Sequence, residues 1–365
     1  MLHAMSARVR VQPSGREFLV EGSETLLKAA LRAGLAPNYG CGTGICGSCR
    51  ARIVAGETRA TAPADYRFSA AEKTQNPVLL CVSTALSSEL VLELLEARTP
   101  EDIPEQHIVA KVRGIEALSD EVMQLHLQTP RSNPLRFLAG QRVTLGVGAA
   151  GEGELGAEYP LASCPCDGRN LAFHIARSDR RAGGAVQGSA VLRSEMDGMQ
   201  PGVPVAPNQS MKTVPLRDFR QHLFDGDIKA GDDISVSGPS GRFVLEQDSR
   251  RRLVFIAIDE GFAPVNSLIE HAIAVGAGEA MKLYWATARP GGHYLSNQCR
   301  AWAHALDEFS YETLTAASLP AVLAADAALP MSDVYLAGNE AAVELLAAQL
   351  RAVGVAPGQL HVEVL

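Results

Sequence analysis

The sequence predicts three successive folding units: an α+β unit over residues 5–97, an antiparallel β-barrel over 106–248 and an α/β unit with a parallel sheet over 250–365. Three observations lead there. A chain of 365 residues is two or three times the usual domain size. The stretch from Glu96 to Gln106 carries charges and two prolines between two apolar patterns, as a linker does. From Arg252 onward the texture changes from short alternating strands to continuous apolar strands, each followed by a helical pattern.

Taken in order, Arg8 to Gln12 and Glu17 to Glu21 alternate as a hairpin, and Ser23 to Ala33 reads as a helix closed by Gly34. After the linker, Ile108 to Val112, Val122 to Gln128, Arg142 to Val147, Leu171 to Ala176 and Asp233 to Ser237 are short strands separated by Gly, Pro and Asp clusters. That spacing suits a small antiparallel barrel. Val203 to Val214 is rich in proline and polar residues and reads as a loop. Leu253 to Ile258 and Leu283 to Ala286 are strands of a sheet covered on both faces, and the Ala-rich stretch Ala316 to Leu329 reads as a surface helix. Asn339 is placed to cap the last helix.

Composition removes several functional classes. With 47% apolar residues, 20% charged residues and a net charge of -8, the chain lacks the basic stripe that nucleic acid requires. No stretch is long and apolar enough for a membrane span, and Met1 to Arg10 has no apolar run of a secretory leader, so a cytoplasmic location is expected.

The strongest chemical signal is the spacing of four cysteines. Cys41, Cys46 and Cys49 follow the pattern C-x4-C-x2-C, and Cys81 follows after 31 residues. Two bridged irons need four thiolates, and this spacing is that of a plant-type [2Fe-2S] site. The glycines of the loop, Gly40, Gly42, Gly44 and Gly47, let the backbone turn its N–H groups toward the sulfurs. Structural zinc sites usually pair two C-x2-C knuckles, of which only Cys46 and Cys49 form one, and disulfide frameworks belong to small secreted chains. Of the seven cysteines, Cys164, Cys166 and Cys299 are left over and are expected as free thiols, since one residue between Cys164 and Cys166 is a poor disulfide spacing.

These parts resemble the ferredoxin-NADP reductase superfamily, in the form of single-chain reductases that feed oxygenases. The resemblance rests on the cysteine loop, on Gly231 to Phe243 as the closing segment of the barrel, on Gly261-Phe262-Ala263-Pro264 at the pyridine-nucleotide turn, and on Asp333 to Gly338 as a late strand and turn. It implies an α+β ferredoxin (β-grasp) domain, an antiparallel β-barrel flavin-type domain and an α/β parallel-sheet nucleotide-type domain. It also implies FAD, with NADH or NADPH as donor. Electrons would pass from hydride through FAD to the [2Fe-2S] cluster and on to an acceptor protein such as an oxygenase. A flavin is needed because hydride delivers two electrons and the cluster carries one.

Residue by residue, the family's flavin motif aligns with Ala157 to Ser163. Tyr159, Leu161 and Ser163 are the implied flavin contacts, whereas the motif's Arg and hydroxyl are replaced by Ala157 and Pro160. His174 and Ile175 match the next flavin-lining strand, Arg177 or Arg181 stands in reach to replace the missing charge, and Gly183-Gly184 resembles the pyrophosphate turn. At the nicotinamide turn Gly261 and Pro264 persist, but Ile258-Asp259-Glu260 replaces the usual Gly-Gly-Thr; Arg289 and Gly338 are the other implied nucleotide contacts. The rewritten turn leaves a second reading: a ferredoxin-type carrier whose reductase-like domains have lost hydride transfer and dock a partner. His271, His293, His304, His107 and His126 read as ordinary core or surface histidines.

Overall fold

The structure, a computed structural model, describes residues 6–94, 97, 99–131, 133–147, 156–177, 219–288 and 291–365. Gly183, Gly184, Arg181, Arg289 and the Val203 to Val214 stretch lie outside the described residues.

The first sheet has five strands in the order Glu17–Glu21, Ser6–Gln12, Glu89–Glu93, Arg50–Ala55 and Pro77–Leu79. The hairpin forms as expected because Ala7, Val9 and Val11 alternate inward against Phe18 and Val20. Its helix spans Leu26–Arg32, shorter than the Ser23 to Ala33 pattern, because the Thr25 side chain accepts the Lys28 N–H and starts the helix there. Gly34 takes a φ of +74° just beyond, the left-handed exit that favours glycine.

The second sheet is a six-stranded antiparallel array in the order Ala157–Pro160, Arg142–Val147, Asp233–Ser240, Gln106–Ala117, Val122–Gln128 and Asn170–Ala176. Its inward residues, among them Leu125, Leu127, Val143, Leu145, Leu171 and Phe173, form one core. The third sheet is parallel throughout, ordered Phe309–Thr315, Met281–Thr287, Leu253–Ile258, Asp333–Gly338 and Leu360–Val364. Every residue of its central strand Leu253–Ile258 is buried, which is why that strand reads as an unbroken apolar run.

Two expectations change. The linker is not a solvated tether: Ala97 and Ile103 bury against Leu138, and the Ala97 N–H donates to the Ala36 carbonyl at 2.8 Å. The Ala316 to Leu329 stretch yields only a short helix, Leu319–Ala325, followed by a 3-10 turn at Leu329–Met331. Leu319, Leu323 and Leu329 bury against the sheet, so the segment is half core rather than surface. Among the described residues no helix is long and apolar enough to cross a membrane.

The barrel and the parallel-sheet unit are fastened together. Asn266 and Ser267, on the helix Phe262–Val275, donate to the carbonyls of Ala162 and Ser163, each at 2.7 Å. Arg142 of the barrel pairs with the buried Glu363 and also donates to the Val364 carbonyl at 3.0 Å. Two histidines are sealed into this junction. Burial, then the nearby His126 charge, pulls His174 down to about 3 from 6.5; burial, then Arg16, pulls His271 down to about 4. Both are neutral when folded, while an unfolded histidine takes a proton below its ordinary value. Stability from this source is complete above pH 6.5 and is lost as pH falls from there through about 4 and 3. Thermal melts at constant ionic strength should show that fall, and His174→Leu should make it shallower.

Candidate cofactor and metal centres

The cysteine loop does what its spacing predicts. The Sγ of Cys41 accepts backbone N–H groups from Thr43 at 3.4 Å and from Ile45 and Cys46 at 3.3 Å. The Sγ of Cys46 accepts from Cys41 at 3.3 Å and Ser48 at 3.4 Å. Cys49 and Cys81 are buried with their sulfurs 3.2 Å apart, Cys81 being carried on a 3-10 turn at Leu80–Val82. Burial pushes the Cys41 thiol up, but the Thr43 hydroxyl and the three N–H groups outweigh that and bring it down to about 6. The bond from Cys81 lowers Cys49 to about 7, and the same bond raises Cys81. Thiolates stabilised by a nest of N–H donors are the ligands iron requires, so the donor set fits a [2Fe-2S] cluster.

Glycine is enforced where the loop is tightest. At Gly47, with φ +74°, a Cβ would sit 2.2 Å from the Tyr66 ring; at Gly44, with φ +80°, it would press on Ala64 and Val82 at 3.1 Å. Cys46 is exposed, and Ile45 beside it is 57% exposed, so the loop presents an apolar tip next to a cluster ligand. A groove of ≈640 Å³ is lined jointly by Cys81, Gly42 and Tyr39 of the first unit and by Arg131, Cys166 and Asn170 of the barrel.

The implied flavin residues divide into two groups. Tyr159, His174 and Ile175 line a recess of ≈90 Å³ together with Arg220 and Leu365. Leu161 is fully buried in the barrel core, and the Ser163 hydroxyl is spent on the Ala172 N–H at 3.2 Å. Glu158 beside this recess is paired, with Arg142 3.3 Å away and the Ser240 hydroxyl donating to it at 3.2 Å. Sequence reading missed Arg220. Its guanidinium stands 5.9 Å from the Tyr159 ring centroid, and its Nε is buried without a hydrogen-bond partner among the described residues. A partly buried guanidinium with a free Nε beside an aromatic wall fits a phosphate-bearing flavin. Arg177, just past the strand Asn170–Ala176, stands 4.5 Å from the Phe224 ring.

The implied nucleotide residues have internal reasons for their identities. A Cβ on Gly261 would lie 2.0 Å from the Ala337 carbonyl oxygen, and one on Gly338 would lie 2.9 Å from Ile258. Pro264 is buried in the first turn of its helix. Beside them opens a crevice of ≈590 Å³, lined by the turn Ser119 to Val122, by Asp259 and Glu260, by Thr287 and Ala288, and by Gly291, Gly292 and Tyr294. It lies at the carboxyl ends of parallel strands, where α/β sheets bind ligands, and that rule is the signal by which Thr287 and Ala288 were findable. Asp259 adopts φ 48° and its carboxylate accepts from the Thr287 hydroxyl at 2.8 Å and the Ala288 N–H at 3.1 Å. It clasps two strand ends together. Beneath the crevice Phe262 stacks on Trp285 at 3.7 Å, with Tyr294 edge-on to both and its hydroxyl 3.4 Å from His174.

The leftover cysteines correct an expectation. Cys164 and Cys166 form a disulfide rather than two free thiols, since the intervening Pro165 brings their Cα atoms to 5.1 Å, inside the usual bridging range. Cys299 is a buried free thiol.

Residues 9–86 match the 2Fe-2S iron-sulfur cluster binding domain family. Over most of its length the chain is similar to the CDP-6-deoxy-L-threo-D-glycero-4-hexulose-3-dehydrase reductase of Yersinia pestis, at 25% identity with 82% of this chain and 77% of that protein covered. It is 27% identical to the ferredoxin-NAD(+) reductase component of the alkene monooxygenase system of Xanthobacter autotrophicus, covering 74% and 70% of the two chains. In fold it matches the ferredoxin reductase in carbazole 1,9a-dioxygenase with a TM-score of 0.53 at 18% identity, over 100% of this chain and 99% of that one. The chain thus carries a match to the 2Fe-2S cluster binding domain at its cysteine loop, is similar in sequence over most of its length to reductase components of other redox systems, and shares the fold of a ferredoxin reductase from end to end.

Proposed function

We propose that this protein is an electron-transfer reductase that takes hydride from NADH or NADPH, passes the electrons through FAD to the [2Fe-2S] cluster at Cys41, Cys46, Cys49 and Cys81, and delivers them to a partner protein, an oxygenase or a similar redox enzyme. The observation that carries it is one strand. Asn170–Ala176 begins in the groove shared with Cys81 and ends in the recess of Tyr159 and Arg220. Asn170 and His174 are four residues apart, about 13 Å along a strand. Cluster and flavin recess are therefore opposite ends of a single rigid element.

The units 5–97, 106–248 and 250–365 divide the work. Tyr159 offers an aromatic wall, the backbone of His174 and Ile175 a polar edge, and Arg220 a charge for phosphate. Gly183 and Gly184 belong to the same proposal as the pyrophosphate turn, and Arg289 to the nucleotide side. The chemistry that a flavin supplies there is the conversion of one hydride into two single electrons. His174 stays neutral through burial, and so puts no charge against that recess. Ile45 and Cys46, exposed at the far tip of the cluster loop, are the exit toward the acceptor. Leu161, Ser163, Gly261, Pro264 and Gly338 act by shaping these walls rather than by touching ligand.

One observation favours the second reading, a carrier that no longer takes hydride. Asp120, Glu121, Asp259 and Glu260 all line the crevice in which a dinucleotide would place its phosphates. An anaerobic absorbance spectrum of purified protein, before and after NADH and NADPH, separates the two. The reductase reading expects cluster and flavin bands that both bleach with one nucleotide. Cluster bands with no flavin and no bleaching would overturn it in favour of the carrier.

A further inference from the structure

The Cys164–Cys166 bridge lies on the loop that joins the strand Ala157–Pro160 to the strand Asn170–Ala176, between the recess and the cluster groove. The Nδ1 of His271 faces both sulfurs, 3.8 Å from Cys164 and 4.0 Å from Cys166. The other ring nitrogen of His271 is held by the Gln247 amide at 2.9 Å, which fixes the imidazole plane. The loop is anchored as well: the Cys164 N–H donates to Glu270 at 3.0 Å, and the Ser163 carbonyl accepts from Ser267. A structural bridge across two residues closes almost no loop, so it stabilises little by restricting the unfolded chain. Three groups able to exchange protons or electrons have nevertheless been gathered at one point.

We infer that Cys164–Cys166 is a dithiol–disulfide redox centre, with His271 as the hydrogen-bond donor to its departing sulfur, whose substrates are dithiols and their disulfides. The two sulfurs are not equivalent. Cys166 lines both the cluster-side groove and a small cavity beside Tyr39, whereas Cys164 lines neither. Cys164 Sγ already accepts the Cys166 N–H at 3.2 Å, a donor that stabilises a thiolate. A thiolate of an incoming dithiol therefore attacks Cys166, forming a new S–S bond as the Cys164–Cys166 bond breaks and Cys164 leaves as the thiolate. The second thiol of the dithiol then attacks the mixed disulfide and releases Cys166. The incoming dithiol is oxidised to its disulfide, the bridge is reduced to two thiols, and the two protons of the dithiol end on Cys164 and Cys166. The Gln247 amide nitrogen only donates, so His271 Nε2 accepts from it and Nδ1 carries the ring hydrogen, which is offered as a hydrogen bond to the departing Cys164 thiolate, while the proton that finally settles there comes from the dithiol.

This centre does not depend on flavin or nucleotide being bound, so the test is independent of the reading above. The full-length, cluster-loaded protein is equilibrated in buffers of varied reduced-to-oxidised dithiothreitol ratio, quenched with an alkylating agent and mapped by mass spectrometry. Two alkyl groups should appear together on the Cys164–Cys166 peptide as the ratio rises and disappear on reoxidation, while buried Cys299 stays unmodified and the cluster absorbance persists. His271→Leu should slow interconversion at least about tenfold, since it removes a hydrogen bond to a developing thiolate. In Cys164→Ala, oxidised glutathione should modify Cys166; in Cys166→Ala, modification of Cys164 should be at least about tenfold slower, following access and thiolate character. Cysteines that stay alkylatable under every oxidising ratio, or a bridge that no ratio opens, would overturn the inference. So would one equivalent of zinc that protects both thiols and is lost in His271→Gln, which would make the trio a metal site instead.

Discussion

Cys81→Ala removes the cluster and with it the delivery of electrons to a protein acceptor, while the fold survives. Cys81 is 7% exposed and sits 3.2 Å from Cys49, so its loss strips one iron of a ligand in a buried place. Loss of a group that merely orients a ligand typically costs about 10–100-fold in metal affinity, and loss of the ligand itself costs more. The expected result is a colourless or flavin-yellow protein with unchanged far-ultraviolet circular dichroism. Its rate of cytochrome c reduction should fall by roughly 100-fold or more. Ferricyanide reduction, which a flavin serves directly, should persist if the reductase reading holds. A variant that keeps the cluster spectrum would remove Cys81 from the ligand set. Thr43→Val is the contrast: it deletes the hydroxyl that helps hold Cys41 near 6 but keeps the backbone donor, so cluster content should stay and only the potential should move.

The parts of this molecule that sequence made legible share one property: their causes are local. Cys41 to Cys49 announce the cluster because ligand spacing is itself the chemistry. Val122–Gln128, Arg142–Val147 and Leu253–Ile258 appear at their observed limits because alternation or an unbroken apolar run is imposed on consecutive residues by the sheet. What sequence concealed is made by distant pairs. Glu158 is answered by Arg142, and that arginine also reaches Glu363, 221 positions away. Arg220 carries no motif and acquires meaning only by standing against Tyr159. Cys164 and Cys166 looked like spare thiols because neither spacing nor composition shows His271, 107 positions on. The Ala316 to Leu329 stretch was misread for the opposite reason, since alanine is compatible with both exposed and buried faces and only Leu319 and Leu323 mark the buried one.

The same contrast between local and distant causes governs the nicotinamide turn, where the residues that replace the family's glycines are engaged elsewhere. Asp259 holds Thr287 and Ala288 from a left-handed backbone conformation, and Glu260 lines both the crevice and the flavin recess. A carboxylate about 7 Å from a phosphate charge costs roughly 2 kcal/mol at an effective dielectric near 20, less where water screens it. Asp259→Gly together with Glu260→Thr should therefore tighten NADH or NADPH binding by about tenfold to 100-fold, one tenfold step being about 1.4 kcal/mol. The gain should shrink as salt rises from about 0.01 to about 0.15 M, because screening shortens the reach of the charges removed. Stability should change little in comparison, since glycine relieves the φ of 48° while the loss of the clasp removes two hydrogen bonds. Calorimetric titration of parent and double variant at two salt concentrations measures all of this. Tightening from a weak parent supports a crevice whose acids repel dinucleotide, and so the carrier reading. Tight binding in the parent that the double variant leaves unchanged places the phosphates elsewhere, on the side of Arg220 and Arg177, and returns the crevice acids to the purely structural work that the Asp259 clasp already performs.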